Sequence, residues 1–277
     1  MGIYEKALIS DGSLYEVLDT FKLTNLDYLE ISIDNSTRKL KRLELNSNER
    51  KKVKEYMDKN NVYIYSIVLS ANRSFPIGSH ERGIRNKGIN IMKQTIDLAY
   101  DLSIPIIQVA GYYALNSENR NGKEKKEFIK NLKDICNYAA RKKIMLGIEN
   151  VDGLDVLSIN DCLSIVNKVG SPWLKVYPDV GNLVANSLSF EKELEKGLEK
   201  FICIHLKDTK INTFRRVPFG EGEVNFKLLG QILKEHHYKK NFTVEMWNDN
   251  EKDNPVNIVN ESIRYLKREM NLENTNI

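Results

Sequence analysis

Cysteine is scarce in this chain of 277 residues. The three present, Cys136, Cys162 and Cys203, stand far apart with no CxxC pair. That excludes a disulfide scaffold and a thiolate zinc site, and the three read as reduced thiols. Long apolar runs are absent too, since nothing approaches the ~18 residues that a membrane span requires. The start, Met1-Gly2-Ile3-Tyr4-Glu5-Lys6, lacks the basic region and apolar run of a signal peptide. Gly2 opens a myristoylation pattern, but Lys6 stands where Ser or Thr is needed. A cytoplasmic location is the expectation. An excess of one charge is also missing: 42 Lys+Arg against 38 Asp+Glu leave +4. So mild a surplus suits a small anionic substrate and lacks the concentrated basic face that nucleic acid requires. No internal repeat, low-complexity tract or linker divides the sequence, so one domain over residues 1–277 is expected, with a frayed polar tail at Asn271–Ile277.

What the chain does have is an alternation of short apolar runs with amphipathic stretches. The spacing predicts strands at Gly2–Tyr4, Asp27–Ile33, Val62–Leu69, Ile104–Ala110, Ile144–Glu149, Leu174–Asp179, Phe201–His205 and Phe242–Trp247. Most are continuous Val/Ile-rich segments, as expected of parallel strands covered on both faces. Helical periodicity is expected over Ser13–Thr24, Asn48–Asn60, Arg85–Leu102, Lys123–Lys142, Ser158–Val169, Asn225–His236 and Pro255–Met270. Eight strands and about eight helices match the α/β class and the size of a (β/α)₈ TIM barrel. A doubly wound sheet would usually open on a glycine-rich turn, and Gly2-Ile3-Tyr4 carries no GxGxxG.

The informative pattern lies at the strand ends. Ile144–Ile148 runs into Glu149, Val176-Tyr177-Pro178 into Asp179, Phe201–Ile204 into His205, and Phe242–Val244 into Glu245. In a barrel these ends converge on one mouth, where active sites sit. A single Glu there is ordinarily a helix cap or surface ion pair, and a lone His a hydrogen-bonded core residue. Three carboxylates gathered in one place are costly unless a cation compensates them. Two Glu, one Asp and one His form a mainly oxygen donor set with one imidazole, suited to one divalent metal ion, Zn²⁺, Mn²⁺ or Co²⁺.

Other segments carry cations for an anionic substrate. Arg73, in Ser70–Pro76 after the third strand, is either solvated or a guanidinium clamp. Lys207, Lys210, Arg215 and Arg216 fall in the long segment after the seventh strand, a place where barrels often hold phosphate. For at least half of those cations a solvated side chain is the better reading. Trp247 either floors a sugar pocket or caps the barrel.

These segments resemble the xylose-isomerase-like sugar epimerases, and within them the L-ribulose-5-phosphate 3-epimerase (L-xylulose-5-phosphate 3-epimerase) group. The resemblance rests on Gly2–Leu8, Leu69–Ala71 with Arg73, Phe75-Pro76, Gly78-Ser79 and Gln108–Tyr112. It continues through Tyr177–Leu183, His205–Lys210, Val217–Gly222 and Val244–Trp247, so it covers nearly the whole chain. The Asp179 and His205 motifs are the most specific singly. The resemblance implies a TIM barrel with one divalent metal held by Glu149, Asp179, His205 and Glu245. It also implies an isomerase acting on a sugar phosphate in carbohydrate metabolism, and a homodimer by analogy. Two positions depart from relatives that act on free sugars. Asn182 replaces a histidine three residues beyond the metal aspartate, and Ile211 replaces an arginine six beyond the metal histidine. Both departures fit a phosphorylated substrate held by other cations, with Arg73, Lys207, Lys210, Arg216 and Asn182 as candidate contacts.

The implied reaction inverts C3 of a ketopentose 5-phosphate through an enediolate, by two-base proton transfer between Glu149 and Glu245. The alternative is an isomerase or epimerase of a hexulose 6-phosphate or free ketose. A metal-dependent nuclease at abasic DNA shares the barrel. It uses a three-metal cluster with many more histidines than the four here.

Overall fold

A computed structural model describes residues 1–248 and 254–272. Eight parallel strands occupy β1 (Gly2–Tyr4), β2 (Tyr28–Ser32), β3 (Ile64–Leu69), β4 (Ile106–Ala110), β5 (Met145–Glu149), β6 (Leu174–Val176), β7 (Cys203–Leu206) and β8 (Asn241–Val244). The main helices between and after them are α1 (Leu14–Phe21), α2 (Thr37–Lys41), α3 (Ser47–Lys59), α4 (Arg82–Asp101) and α5 (Lys123–Lys142). They continue with α6 (Ile159–Val169), α7 (Val180–Ala185), α8 (Phe190–Leu194), α9 (Phe226–Glu235) and α10 (Pro255–Glu269). The sheet order β6-β5-β4-β3-β2-β1-β8-β7 is that of a TIM barrel opened between β6 and β7. Single bridges Val176↔Phe201 and Asp179↔His205 cross that seam and nearly close the ring.

Each predicted strand and helix is present. The expected sixth and eighth strands, Leu174–Asp179 and Phe242–Trp247, run three residues past the mouths of β6 and β8, whereas β7 reaches Leu206, one beyond the expected His205. At β6 the reason is local. After Val176 the Asp179 amide donates to the Asn150 side chain at 2.9 Å instead of to a neighbouring strand, and Pro178 has no amide to give. Asp179 then caps α7, its Oδ1 accepting from the Asn182 amide at 2.9 Å. Helix α4 starts at Arg82, three residues before the predicted Arg85. Three short helices, α2, α7 and α8, had no sequence expectation because five or six residues carry too little periodicity. Residues 273–277 of the expected frayed tail lie outside the described residues.

Strand alternation divides the interior into two regions. Leu29, Ile31, Ile67, Val109, Leu146, Ile148 and Ile204 face the helices and form the apolar layer with Leu18, Ile96, Leu132 and Leu229. The opposite faces fill the barrel, and at its mouth they are polar: Glu30, Ser66, Gln108, Glu149, His205 and Thr243 are all buried. A short apolar floor of Ile106, Tyr177 and Cys203 lies beneath them. All three cysteines are free and buried. Among the described residues no helix is long and apolar enough to cross a membrane.

Candidate metal centre and active site

Glu149, Asp179, His205 and Glu245 come together at the barrel mouth, one potential ligand atom of each within 4.8 Å of every other. Glu149 ends β5, His205 lies within β7, and Asp179 and Glu245 stand just beyond β6 and β8. The Glu245 amide extends the ladder by one bond to the Leu206 carbonyl at 2.9 Å, which fixes its direction. His205 Nδ1 lies 2.8 Å from Glu149 Oε1 and 3.4 Å from Glu245 Oε2. The Gln108 amide donates to the other Glu149 oxygen. Lys207 Nζ stands 2.5 Å from Asp179 Oδ2 and 3.4 Å from Glu245 Oε2, and donates to Asn182 Oδ1 at 2.8 Å.

Crowding three carboxylates away from water has the expected effect on their protons. Burial pushes the Glu149 carboxyl up, against the pull of His205. Burial, with Glu245 and Glu149 nearby, pushes Asp179 up to about 8 despite Lys207. Burial works against the Glu245 charge as well, yet Lys207 and His205 outweigh it and hold that carboxyl well below its usual range. The His205 ring resists charge through burial, but the surrounding carboxylates raise it well above its ordinary value. Asp179 Oδ2 is fully enclosed and has no directed hydrogen bond; the Lys207 ammonium is near it without the right geometry. An oxygen-rich set with one imidazole and one unsatisfied carboxylate oxygen fits a divalent cation.

Beside the cluster opens a cavity of about 300 Å³. Its wall includes Glu149, Glu245, Asn182, Lys207 and Trp247 on the metal side, and Lys6, Arg73 and Arg215 as further cations. Arg73 lies against the Tyr112 ring, its carbon 4.8 Å from the centroid. Arg73 and Arg215 share Asp152, with Arg73 Nη2 2.6 Å and Arg215 Nη2 3.1 Å from its carboxylate. The Tyr112 hydroxyl donates to the same carboxylate. Burial and Asp152 push that hydroxyl far above its ordinary range, so it stays protonated. Lys6 is held by Asp34 at 2.6 Å.

Of the candidate substrate contacts, Arg73, Lys207 and Asn182 therefore stand on the cavity wall. Lys210 and Arg216 are exposed and are not among the wall residues. Arg215 is on the wall, and the sequence offered no means of choosing it over its neighbour. Ile211 is also exposed, so this departure from the free-sugar pattern sits outside the cavity. Glu30 was missed altogether. It is buried in β2 and contacts His205. The available signal was a single acid inside the apolar run Tyr28-Leu29-Glu30-Ile31.

The loop carrying Arg215 is tied down from beneath. Asp208 accepts from the amides of Thr209, Gly220, Gly222 and Val224 at 2.8–3.3 Å. A Cβ on Gly222 would fall 1.9 Å from Asp208 Oδ1, so only glycine lets the chain approach that closely.

Comparison with known proteins places this geometry in a family. The chain is 34% identical over 253 residues to the L-ribulose-5-phosphate 3-epimerase UlaE of Escherichia coli O157:H7 (strain EC4115 / EHEC), covering 91% of this chain and 89% of that one. The Shigella flexneri protein of the same name is 34% identical over 259 residues, covering 94% and 91%. Among solved structures, the D-allulose 3-epimerase of Methylomonas sp. in complex with D-allulose superposes with a TM-score of 0.79 at 16% identity, over 97% of this chain and 96% of that one. A D-tagatose 3-epimerase-like protein gives 0.77 at 21%, over 98% of each. At such identities these structures speak for the fold. The model of the xylose isomerase-like TIM barrel matches residues 19–269. With that match over most of its length and its 34% identity to the curated epimerases, this chain belongs to the xylose isomerase-like TIM barrel family.

Proposed function

We propose that this protein is a metal-dependent epimerase that inverts C3 of a ketopentose 5-phosphate, interconverting L-ribulose 5-phosphate and L-xylulose 5-phosphate. The observation that carries the reading is the meeting of Glu149, Asp179, His205 and Glu245 beside a cavity whose wall also carries Arg73 and Arg215, two guanidiniums sharing the single carboxylate of Asp152. The names of the 34%-identical relatives support the substrate and the position of inversion.

Glu149, Asp179, His205 and Glu245 would hold Zn²⁺, Mn²⁺ or Co²⁺, which as a Lewis acid would stabilise negative charge developing on the sugar's oxygens. The chain's own residues supply the rest. Inversion requires a proton to leave one face of C3 and another to arrive on the opposite face. Glu149 and Glu245 reach the centre from β5 and from beyond β8, so they approach from different sides of the ring of strands. One carboxylate accepts the C3 proton, leaving an enediolate, and the other carboxyl delivers its proton to the far face. Each such transfer typically contributes ~10²–10⁴-fold to rate. Asp179 and His205 serve mainly as ligands. Arg73 and Arg215 hold the phosphate as planar guanidiniums already oriented by Asp152. Lys207 balances the carboxylates and hydrogen-bonds Asn182.

The test is isotope exchange. The metal-loaded protein, incubated with L-ribulose 5-phosphate in D₂O and followed by NMR, is expected to place deuterium at C3 as L-xylulose 5-phosphate appears. Metal-bound protein that exchanges nothing at C3 of this sugar would refute the assignment. It would turn the search to hexulose 6-phosphates and free ketoses.

A further inference from the structure

His205 is the single nitrogen donor of the cluster, and a neutral imidazole offers a lone pair from one ring nitrogen only. Its Nδ1 faces Glu149 and Glu245. Its Nε2 points the other way and lies 2.7 Å from Glu30 Oε1. Glu30 is fully buried on the inner face of β2, and among the described residues no lysine or arginine pairs with it. Its second oxygen accepts from the Tyr177 hydroxyl at 2.6 Å and from the Ser66 hydroxyl. The Tyr177 hydroxyl is also 3.0 Å from Thr243 Oγ1. Tyr177 fits inside the barrel because residue 147 is glycine: a Cβ there would come within 2.8 Å of the Tyr177 Cβ.

An ionised carboxylate is an acceptor only, and a buried one without a cationic partner is costly unless donors surround it. Two hydroxyls take one Glu30 oxygen, and the imidazole Nε2 is the donor left for the other. The proton of neutral His205 is thereby required on Nε2, which frees the Nδ1 lone pair on the side of the carboxylate cluster.

We propose that Glu30 is a positioning residue for the metal centre: it accepts the Nε2–H of His205, fixes the tautomer and ring plane, and aims Nδ1 at the cation. Tyr177 and Ser66 hold Glu30 in register for that task. A carboxylate in this place also strengthens the imidazole as a ligand, and removing such a partner typically costs 10–100-fold in metal affinity. The proposal rests on the reading that Glu149, Asp179, His205 and Glu245 bind a divalent cation.

The experiment titrates full-length wild type and Glu30→Gln with Co²⁺ alone, without sugar, following the visible absorption of the bound ion and its competition with a chelator. Glu30→Gln is expected to bind about 10–100-fold more weakly, with a changed absorption band. Unchanged affinity and spectrum would overturn the proposal. A second measurement needs no variant at position 30. In ¹⁵N-histidine spectra of the Zn²⁺-loaded wild type, His205 is expected as the Nε2–H tautomer with a slowly exchanging proton. A ring protonated on Nδ1 and ligated through Nε2 would overturn the proposal while leaving the metal site standing. Wild type that binds no Co²⁺ would instead refute the metal reading itself, and this inference with it.

Discussion

Two clusters of buried charge sit at the mouth of this barrel, and they solve the same electrostatic problem in opposite ways. In the first, Glu5 is flanked by two cations. Arg42 grips both its oxygens at 2.8 Å, Lys39 adds a contact at 3.0 Å, and Ser32 donates from both its amide and its hydroxyl. Burial opposes the Glu5 charge, but these partners hold its carboxyl below the usual range. In the second, four carboxylates (Glu30, Glu149, Asp179 and Glu245) surround at most two cations, His205 and Lys207. One cluster is closed, with every acceptor met and a cation to spare. The other is short of positive charge and contains a carboxylate oxygen without a directed donor. The deficit in the second is what a catalytic cation would fill.

Mutations sharpen the contrast, beginning with the largest effect. Assayed at metal concentrations that keep the site loaded, Glu149→Gln or Glu245→Gln should cut kcat by ~10²–10⁴-fold and abolish C3 exchange or leave it on one face. Steady-state rates and deuterium incorporation check this, and near-normal epimerisation in either variant would sink the two-base scheme. Glu5→Gln should act in the opposite manner. It leaves Arg42 and Lys39 buried without their anion, so stability should fall by about 3–5 kcal/mol in denaturant unfolding. The surviving folded fraction should keep its affinity for Co²⁺.

Smaller effects test the cavity wall. Arg73→Ala removes one of the two guanidiniums on Asp152, and charged hydrogen bonds contribute about 1.5–3 kcal/mol each. KM should therefore rise by about 10–100-fold for a phosphorylated ketose and little for its unphosphorylated counterpart. An equal rise for both would separate Arg73 from the phosphate. The mildest is pH. Asp179, raised to about 8, and His205, also raised, must shed protons before they can bind a cation, so affinity for Zn²⁺ should weaken as pH drops below about 8. For the metal-free fold the sign reverses. A raised Asp179 keeps its proton in the folded state at pH values where the unfolded chain has lost it, so this group's contribution to stability declines as pH rises towards about 8. Chelator competition and thermal melts across pH measure the two trends. The Glu5 cluster should contribute to neither trend over this window, because its carboxyl is lowered.

The sequence was readable where physics leaves a one-dimensional trace. Apolar runs ending in an acid or a histidine betray strand mouths, so the positions of Glu149, Asp179, His205 and Glu245 followed from the alternation of the chain. Glu30 lay hidden because its partners, Tyr177, Ser66 and His205, are 147, 36 and 175 residues away. Arg215 was indistinguishable from Arg216, since direction within a loop depends on its anchorage. Here Asp208 gathers the amides of Gly220, Gly222 and Val224, and Arg216 takes a positive φ of 61°. Neither constraint shows in a run of letters. The short α7 is a partial case. Its cap, Asp179, was legible as a strand end, while its second role at a helix start emerged only in three dimensions.

The seam between β6 and β7 has a mechanical consequence. Among the described residues only two single bridges span it, and one of them joins Asp179 to His205. An ion shared by those two side chains would act as a clasp across the weakest join of the ring. Loading with Zn²⁺ should then slow amide exchange most in β6 and β7, and least in β3 and β4, whose ladder is already continuous.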